Sequence, residues 1–433
     1  MKSKKTAIST VATVIIIVVI IAVAGLAAAF YFTSGSSGKT TTSTLPPLKI
    51  GMAMPLTGAL SGNGAAALLA IQIWANDTNK AGGLLGRQVQ IVYYDDASTA
   101  SNEPAIYQKL ITVDHVDFLF APYGGPGTVT AIPIAEQYHK LVIGTFALDG
   151  NPTSYGMYFS MFPAGTNSFV GMSEPFFSMA ASLSPKPQTV AITGIQNAFG
   201  SPCAAGASEN AVSYGFKVVY NQTYPASTTD FTAILTSIKS LNPDIVYACS
   251  YPTDSVSFIQ TMKTINFTPS ICCGGMVGLQ YASDLTQLGP MLNGLVNFET
   301  WAPASTINFP GMSNFLAEYQ PAATAHHVDP LGYYVPPFAY AGGQVLAAAI
   351  EATQSTNDTV LSNYLHSHSI STIVGTLTFG ANGEWTQPRM FYVQFQGING
   401  TALSEFTDAT HWVVVAPTSY KSGTIQYPFP GWQ

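Results

Sequence analysis

The sequence predicts an α/β protein built as two doubly wound, Rossmann-like lobes, preceded by one transmembrane helix. Three observations carry this expectation. Strand and helix patterns alternate from Leu48 onward, break near residues 156–166, and then restart. Two successive βα series of this kind give two mostly parallel sheets with helices on both faces. The chain has 433 residues, too many for one compact core and suited to two lobes. The third observation is the uncharged run from Ala7 to Phe32, dense in Val, Ile and Ala. About 20 apolar residues cross a bilayer, and this run is longer.

The elements follow in order. Lys2, Lys4 and Lys5 precede the apolar run and favour an N-terminus inside with the remainder outside. A cleaved secretory signal is the other reading of residues 1–32, although its apolar core usually spans about 7–15 residues. The segment KKTAIST resembles an archaeal pilin-type signal cut near Ala7, which would leave the apolar helix in place; the early acidic residue of pilins is missing. Residues 33–47, TSGSSGKTTTSTLPP, read as a flexible polar tether. LKIGMAMPL is then an apolar strand ending at Thr57-Gly58, and residues 64–80 are a helix closed by Gly82-Gly83. RQVQIVYYDD is a strand followed by a helix, VDFLFAP a short buried strand, residues 126–139 a helix, and KLVIGTF a strand. After the crossing segment come the strands QTVAITG, FKVVYNQTY, DIVYACS and SICCGG, with a helix after each of the first three. Ligands of such sheets bind beyond the carboxyl ends of the strands, so the loops there are where function is expected.

Composition narrows the class. Charged residues are 9% of the chain, against about 25% in an average soluble protein. The surface must be covered by Ser, Thr, Asn, Gln, Tyr and Gly. Such a surface changes little when carboxylates are protonated, a property of use in an acidic medium. The net charge of -7 and the lack of a basic patch exclude a nucleic-acid partner. His115, His139, His326, His327, His366, His368 and His411 form no metal pattern with carboxylates, and no nucleophile elbow, P-loop or dinucleotide fingerprint appears. No cofactor and no metal are expected. Asn76, Asn221, Asn266, Asn357 and Asn399 head Asn-x-Thr triplets, which are compatible with glycosylation outside a cell.

Four cysteines are present, Cys203, Cys249, Cys272 and Cys273, with no Cys-x-x-Cys pair and none near the start to carry a lipid. DIVYACS and SICCGG should be neighbouring strands, with the helix that carries Cys203 at the same edge. Cys249 is therefore expected to be oxidised, with Cys203, Cys272 or Cys273 as partner, since an extracellular site permits it. Cys272 and Cys273 are adjacent on a strand and should face opposite sides, so at most one suits a given partner.

Several segments, in order and spacing, resemble the branched-chain amino acid and amide binding proteins of ABC transporters, the leucine-binding type. They are IGMAMPLTG, NKAGGLLGRQVQIVYYDDAS, NAFGSPCAAGA, AYAGGQVLAAAIE, VGTLTFGANGEW and the tail YPFPGW. The resemblance implies the type I periplasmic binding protein fold, whose lobes meet at a hinge of three crossings and close on a ligand without chemistry. Lobe 1 is then 48–163 and lobe 2 is 164–300; residues 301–390 return mainly to lobe 1, and 391–433 stay mainly with lobe 2. It implies an extracytoplasmic solute-binding protein at the cell surface, with a small amino acid, amide or carboxylate as ligand and a transporter permease as partner. A ligand-sensing receptor and a non-binding surface protein are the alternatives; an enzyme is not expected.

The resemblance also places site residues. In APYGGPGTVT, the turn Tyr123, Gly124 and Gly125 opens a helix whose free N–H groups can hold a carboxylate, and Thr128 adds a hydroxyl. In TFALDGNP, Ala147 and Asp149 fall at ligand positions, with Asp149 where relatives carry Ser or Thr; an Asx-turn is its structural alternative. Phe199 and Tyr251 are the aromatic wall of the second lobe, and Asn63 stands where relatives often carry Tyr. Amino-acid binders of this type place an acid after the fourth strand of lobe 2 to hold the ligand ammonium. Here that stretch is CCGGMVG, with Met276 and no acid. A buried ammonium without counter-charge is costly. Either Asp149 supplies the charge or the ligand has no ammonium, and the reading favours the second.

Overall fold

The computed structural model describes residues 45–148 and 150–432. The expected anchor at 1–32, most of the tether and Asp149 lie outside the described residues. Among the described residues, no helix is long and apolar enough to cross a membrane.

The first series runs β1 (Leu48–Met54), α1 (Ser61–Lys80), β2 (Val89–Asp95), α2 (Glu103–Thr112), β3 (Phe118–Phe120), α3 (Gly125–Gln137), β4 (Val142–Ile143) and β5 (Tyr158–Phe159). These strands form one parallel sheet in the order β2-β1-β3-β4-β5. β1 is buried along nearly its whole length, the mark of a parallel strand covered on both faces. The expected crossing segment thus opens with a strand of its own. Tyr158 and Phe159 pair with Val142 and Ile143, too short a match for any period-2 pattern to announce.

The second series runs α4 (Ser168–Ala181), β6 (Thr189–Ile195), α5 (Gly200–Ser213), β7 (Lys217–Tyr224), α6 (Thr232–Ser240), β8 (Ile245–Ser250), α7 (Pro252–Thr264), β9 (Ile271–Met276), α8 (Ala282–Leu288) and β10 (Val296–Glu299). Then follow α9 (Met312–Ala325), α10 (Val335–Thr353), α11 (Asp358–Ser367), the hairpin β11 (Ile370–Thr372) and β12 (Gly375–Leu377), β13 (Phe391–Phe395), α12 (Leu403–Thr407) and β14 (Trp412–Ala416). The second sheet has the order β14-β13-β10-β9-β8-β6-β7. Its last two strands, β13 and β14, are antiparallel additions. The tail is tied to the same sheet: Phe429 donates its N–H to Ser270 at 2.8 Å, and the Trp432 indole donates to the Phe267 carbonyl at 2.9 Å.

The chain passes between the sheets three times: after β5, after β10, and before β13. The first and third passes are bonded to each other. Ser160 donates its N–H to Gly383 at 2.8 Å, the Trp385 indole donates to Ser160 at 2.9 Å, and Arg389 donates its N–H to Pro163 at 2.7 Å. A belt of this kind lets two lobes rotate as rigid bodies while their relative position along the hinge stays fixed.

The cysteines pair differently from one part of the expectation. Cys203 on α5 meets Cys249 on β8, with Cα atoms 6.1 Å apart, one of the three partners foreseen. Cys272 and Cys273 are joined to each other. The peptide between them is cis, so the two side chains do not alternate across the sheet as they would on a regular strand. All five Asn-x-Thr asparagines are exposed, and Asn357 also caps α11 through Val360 N–H.

Candidate functional site

The carboxyl ends of the two sheets face each other, and Tyr334 stands where they meet. It is the residue before α10, on the return from the second hinge pass. Its ring touches Tyr123 and Phe146 from the first sheet, at centroid distances of 6.4 and 4.9 Å. It also touches Tyr281 and Phe298 from the second, at 5.5 and 6.4 Å. All four contacts are edge-on, a geometry that aromatic quadrupoles prefer. All five rings are buried.

The loop after β3 builds the first-lobe wall. Tyr123 bridges to Phe146 after β4, and Gly124 donates its N–H to the Phe146 carbonyl at 3.0 Å. Gly124 has φ +90°, which opens the turn so that α3 starts at Gly125. A Cβ on Gly125 would lie 3.0 Å from the Ala198 carbonyl, and one on Gly124 3.7 Å from the Tyr251 hydroxyl. The first turn of α3 therefore abuts the second lobe. Asn63, at the start of α1, completes this side, beside Tyr123. Burial pushes the Tyr123 hydroxyl up; the Tyr334, Asn63 and Tyr281 side chains next to it draw it part of the way back.

The second-lobe wall is Phe199 and Tyr251, whose rings pack at 5.2 Å. Tyr251 is the N-cap of α7 and follows β8 directly. Asp254, in the first turn of that helix, accepts a hydrogen bond from Tyr224, and burial raises its carboxyl to about 6. Two clefts open beside the aromatic cluster. One, of about 430 Å³, is lined by Leu60, Ser98 and Pro126 against Asn197, Tyr251 and Asp254. The other, of about 660 Å³, lies between Ser61, Gly62 and Ala65 and Tyr281, His326 and Asp329. Burial of the tyrosines between these mouths describes lobes drawn together.

A family model described as periplasmic binding protein matches residues 47–401. The chain belongs to the periplasmic binding protein family. The leucine-, isoleucine-, valine-, threonine- and alanine-binding protein of Pseudomonas aeruginosa is 26% identical over 351 residues, covering 78% of this chain and 87% of the relative. The branched-chain amino acid transporter substrate-binding protein LivJ of Streptococcus pneumoniae, solved with isoleucine, aligns with a TM-score of 0.70 at 18% identity, over 81% of this chain and 96% of the other. An ABC-transporter solute-binding protein of R. palustris, solved with benzoate, aligns with a TM-score of 0.68 at 18% identity, over 86% and 97%. The fold is the type I periplasmic binding protein fold. Proteins of this family bind solutes, and this periplasmic binding protein is a binder and not an enzyme.

Of the residues that the sequence singled out, Asn63, Tyr123, Gly124, Gly125, Phe199 and Tyr251 come together around the interlobe cluster. Thr128 does not offer the expected hydroxyl. It is fully buried and donates within its own turn, to the Gly124 carbonyl at 2.9 Å and the Pro122 carbonyl at 3.2 Å. Ala147 is buried after the loop that carries Phe146. Met276 ends β9 with its backbone held on both sides by the Asn297 amide, at 2.9 and 2.8 Å. Sequence reasoning passed over Tyr281, Tyr334 and Glu299. Glu299 had a usable signal: it is the one acid in LVNFETW, an apolar stretch of a charge-poor chain.

Proposed function

We propose that this periplasmic binding protein captures a small solute outside the cell and presents it to the permease of an ABC importer. Residues 1–32 hold it to the cytoplasmic membrane, and the tether keeps the lobes free to turn. The observation that carries the reading is Tyr334, packed at once against Tyr123 and Phe146 of one lobe and Tyr281 and Phe298 of the other. A ligand seated there would bridge the lobes, and closure would remove it from water and strengthen each hydrogen bond it makes. One relative is named for amino acids, one neighbour was solved with isoleucine and another with benzoate, which keeps amino acids, amides and carboxylates as the solute class.

The test is a thermal-shift screen of the full chain in detergent against amino acids, their amides, and aliphatic and aromatic acids. One class is expected to raise the melting temperature by several degrees at saturating concentration, since a ligand that binds only the folded state adds to its stability. A flat response to the whole panel would contradict the reading.

A further inference from the structure

Arg389 closes the third hinge pass, just before β13, and its backbone N–H is the one given to Pro163 of the first pass. The other arginine of the chain, Arg87, faces the carboxylate of Asp117 at 3.7 Å. Arg389 has no carboxylate partner among the described residues. Its Nη2 donates to the Val374 carbonyl, while its Nε is shut off from water and has no acceptor. Two rings pack on the guanidinium, Phe309 at 4.6 Å and Trp385 at 4.8 Å. They offset part of the loss of water around the charge and restrain the orientation of the group. Burial lowers the Arg389 pKa to about 10, so its charge persists at neutral and acidic pH.

A desolvated charge with N–H donors to spare is costly, and an anion that accepts from them removes that cost. The space beside Arg389 suits one. The side chain lines a cleft of about 300 Å³ together with Thr376, Thr378, Gln387 and Tyr420. These neighbours bring hydroxyl and amide donors, and no Asp or Glu lines the cleft to repel an anion. Its walls are β12, the third pass and the segment after β14. It shares no lining residue with either interlobe cleft. Its volume is at the lower end of the range for small-molecule sites. With rings on its faces, the guanidinium meets a ligand in its own plane, where its fork of N–H groups matches a pair of oxygens.

We propose that this cleft is a second binding site, for one small oxyanion (a carboxylate, sulfate or phosphate) held by the N–H groups of Arg389. The site lies on the hinge belt and does not depend on the reading of the interlobe cluster as the solute site.

Calorimetry on the full chain in detergent tests it. Sodium sulfate, phosphate and acetate are titrated in turn against sodium chloride of the same ionic strength. Wild type is expected to bind at least one of the three saturably. Sulfate or phosphate alone assigns the site to an inorganic ion, and acetate alone assigns it to a carboxylate. Two variants locate the ion. Arg389→Gln removes the charge. Gln387→Glu alters an exposed side chain and sets a carboxylate in the cleft, where it takes the place of the ion. Each is expected to weaken binding by at least about 10-fold, the worth of a hydrogen bond to a charged group. Should Arg389→Gln fail to fold, Gln387→Glu decides alone. Saturable binding that is unchanged in either folded variant would put the ion elsewhere, the interlobe clefts included, and overturn the proposal. Wild type that binds none of the three saturably would overturn it too. Both failures leave the solute-binding reading standing.

Discussion

At the residue scale, the site divides into groups the sequence exposed and groups it hid. Phe199, Tyr251 and Asn63 were singled out by their positions in the family resemblance, since an aromatic after a strand is by itself more often core than site. The Tyr123–Gly125 turn had in addition its own strand-to-helix signal. Tyr334 sits on a hinge pass, where no strand-to-helix rhythm marks the position, and its first-lobe partners Tyr123 and Phe146 are far from it in the sequence. Asp149 lies outside the described residues and keeps only its sequence reading. Tyr334→Ala removes a ring that packs on four others, and a buried aromatic truncated to Ala costs about 3–5 kcal/mol. The variant is therefore expected to melt well below wild type and to bind no solute of the panel, checked by thermal melting and calorimetry; wild-type affinity in a folded Tyr334→Ala would remove it from the site. Asn63→Ala is expected to melt like wild type and to lose about ten-fold in affinity, the worth of one hydrogen bond.

At the scale of elements, the alternation of strands and helices was legible because parallel strands buried on both faces are continuous apolar runs. What was not legible was anything decided by close approach. α4 and α5 cross so tightly that a Cβ on Gly206 would lie 1.8 Å from the Phe169 carbonyl. Gly206→Ala must push the two helices apart, and is expected to destabilise the fold by about 1–3 kcal/mol, read from chemical denaturation. A neutral result would mean that the crossing is looser than the structure has it. The cysteines belong to the same scale. Their neighbourhood followed from strand order, while the pairing followed from a local backbone geometry that no spacing rule contains. The expected thiol count of the unreduced, denatured chain is zero. Two free thiols would break one of the two pairs, and four would break both.

At the scale of the whole molecule, the two-lobed plan was the most legible feature, because length, alternation and the break near 156–166 all pointed the same way, while the belt of three passes was expected only from the family resemblance. The pH response was half legible. The scarcity of charge indicated tolerance of acid, and the buried acids give it a sign. Burial raises Glu103 to about 9, and Asp254 and Asp284 each to about 6, all above their unfolded values near 4. A group raised in this way contributes stability that is complete below its unfolded pKa and is lost as pH rises through the folded one. For Asp254 the loss is about 2–3 kcal/mol between pH 4 and 7. Asp95, Asp230 and Asp408 are lowered and act in the opposite sense, but they sit at the surface, where solvent screens the effect. The melting temperature is therefore expected to be higher at pH 4.5 than at pH 7.5, and Asp254→Asn to flatten part of that slope. A melting temperature that rises steadily from pH 4.5 to 7.5 would contradict the account of the buried acids.

The central claim is that the two lobes close on a solute held between them. Small-angle scattering of the full chain in matched-out detergent, with and without the solute that most raises the melting temperature, tests it most directly. The account predicts a smaller radius of gyration with solute, and a scattering curve that approaches the one calculated for the closed lobes described above. An unchanged curve at saturating solute would contradict closure as the means by which this protein binds.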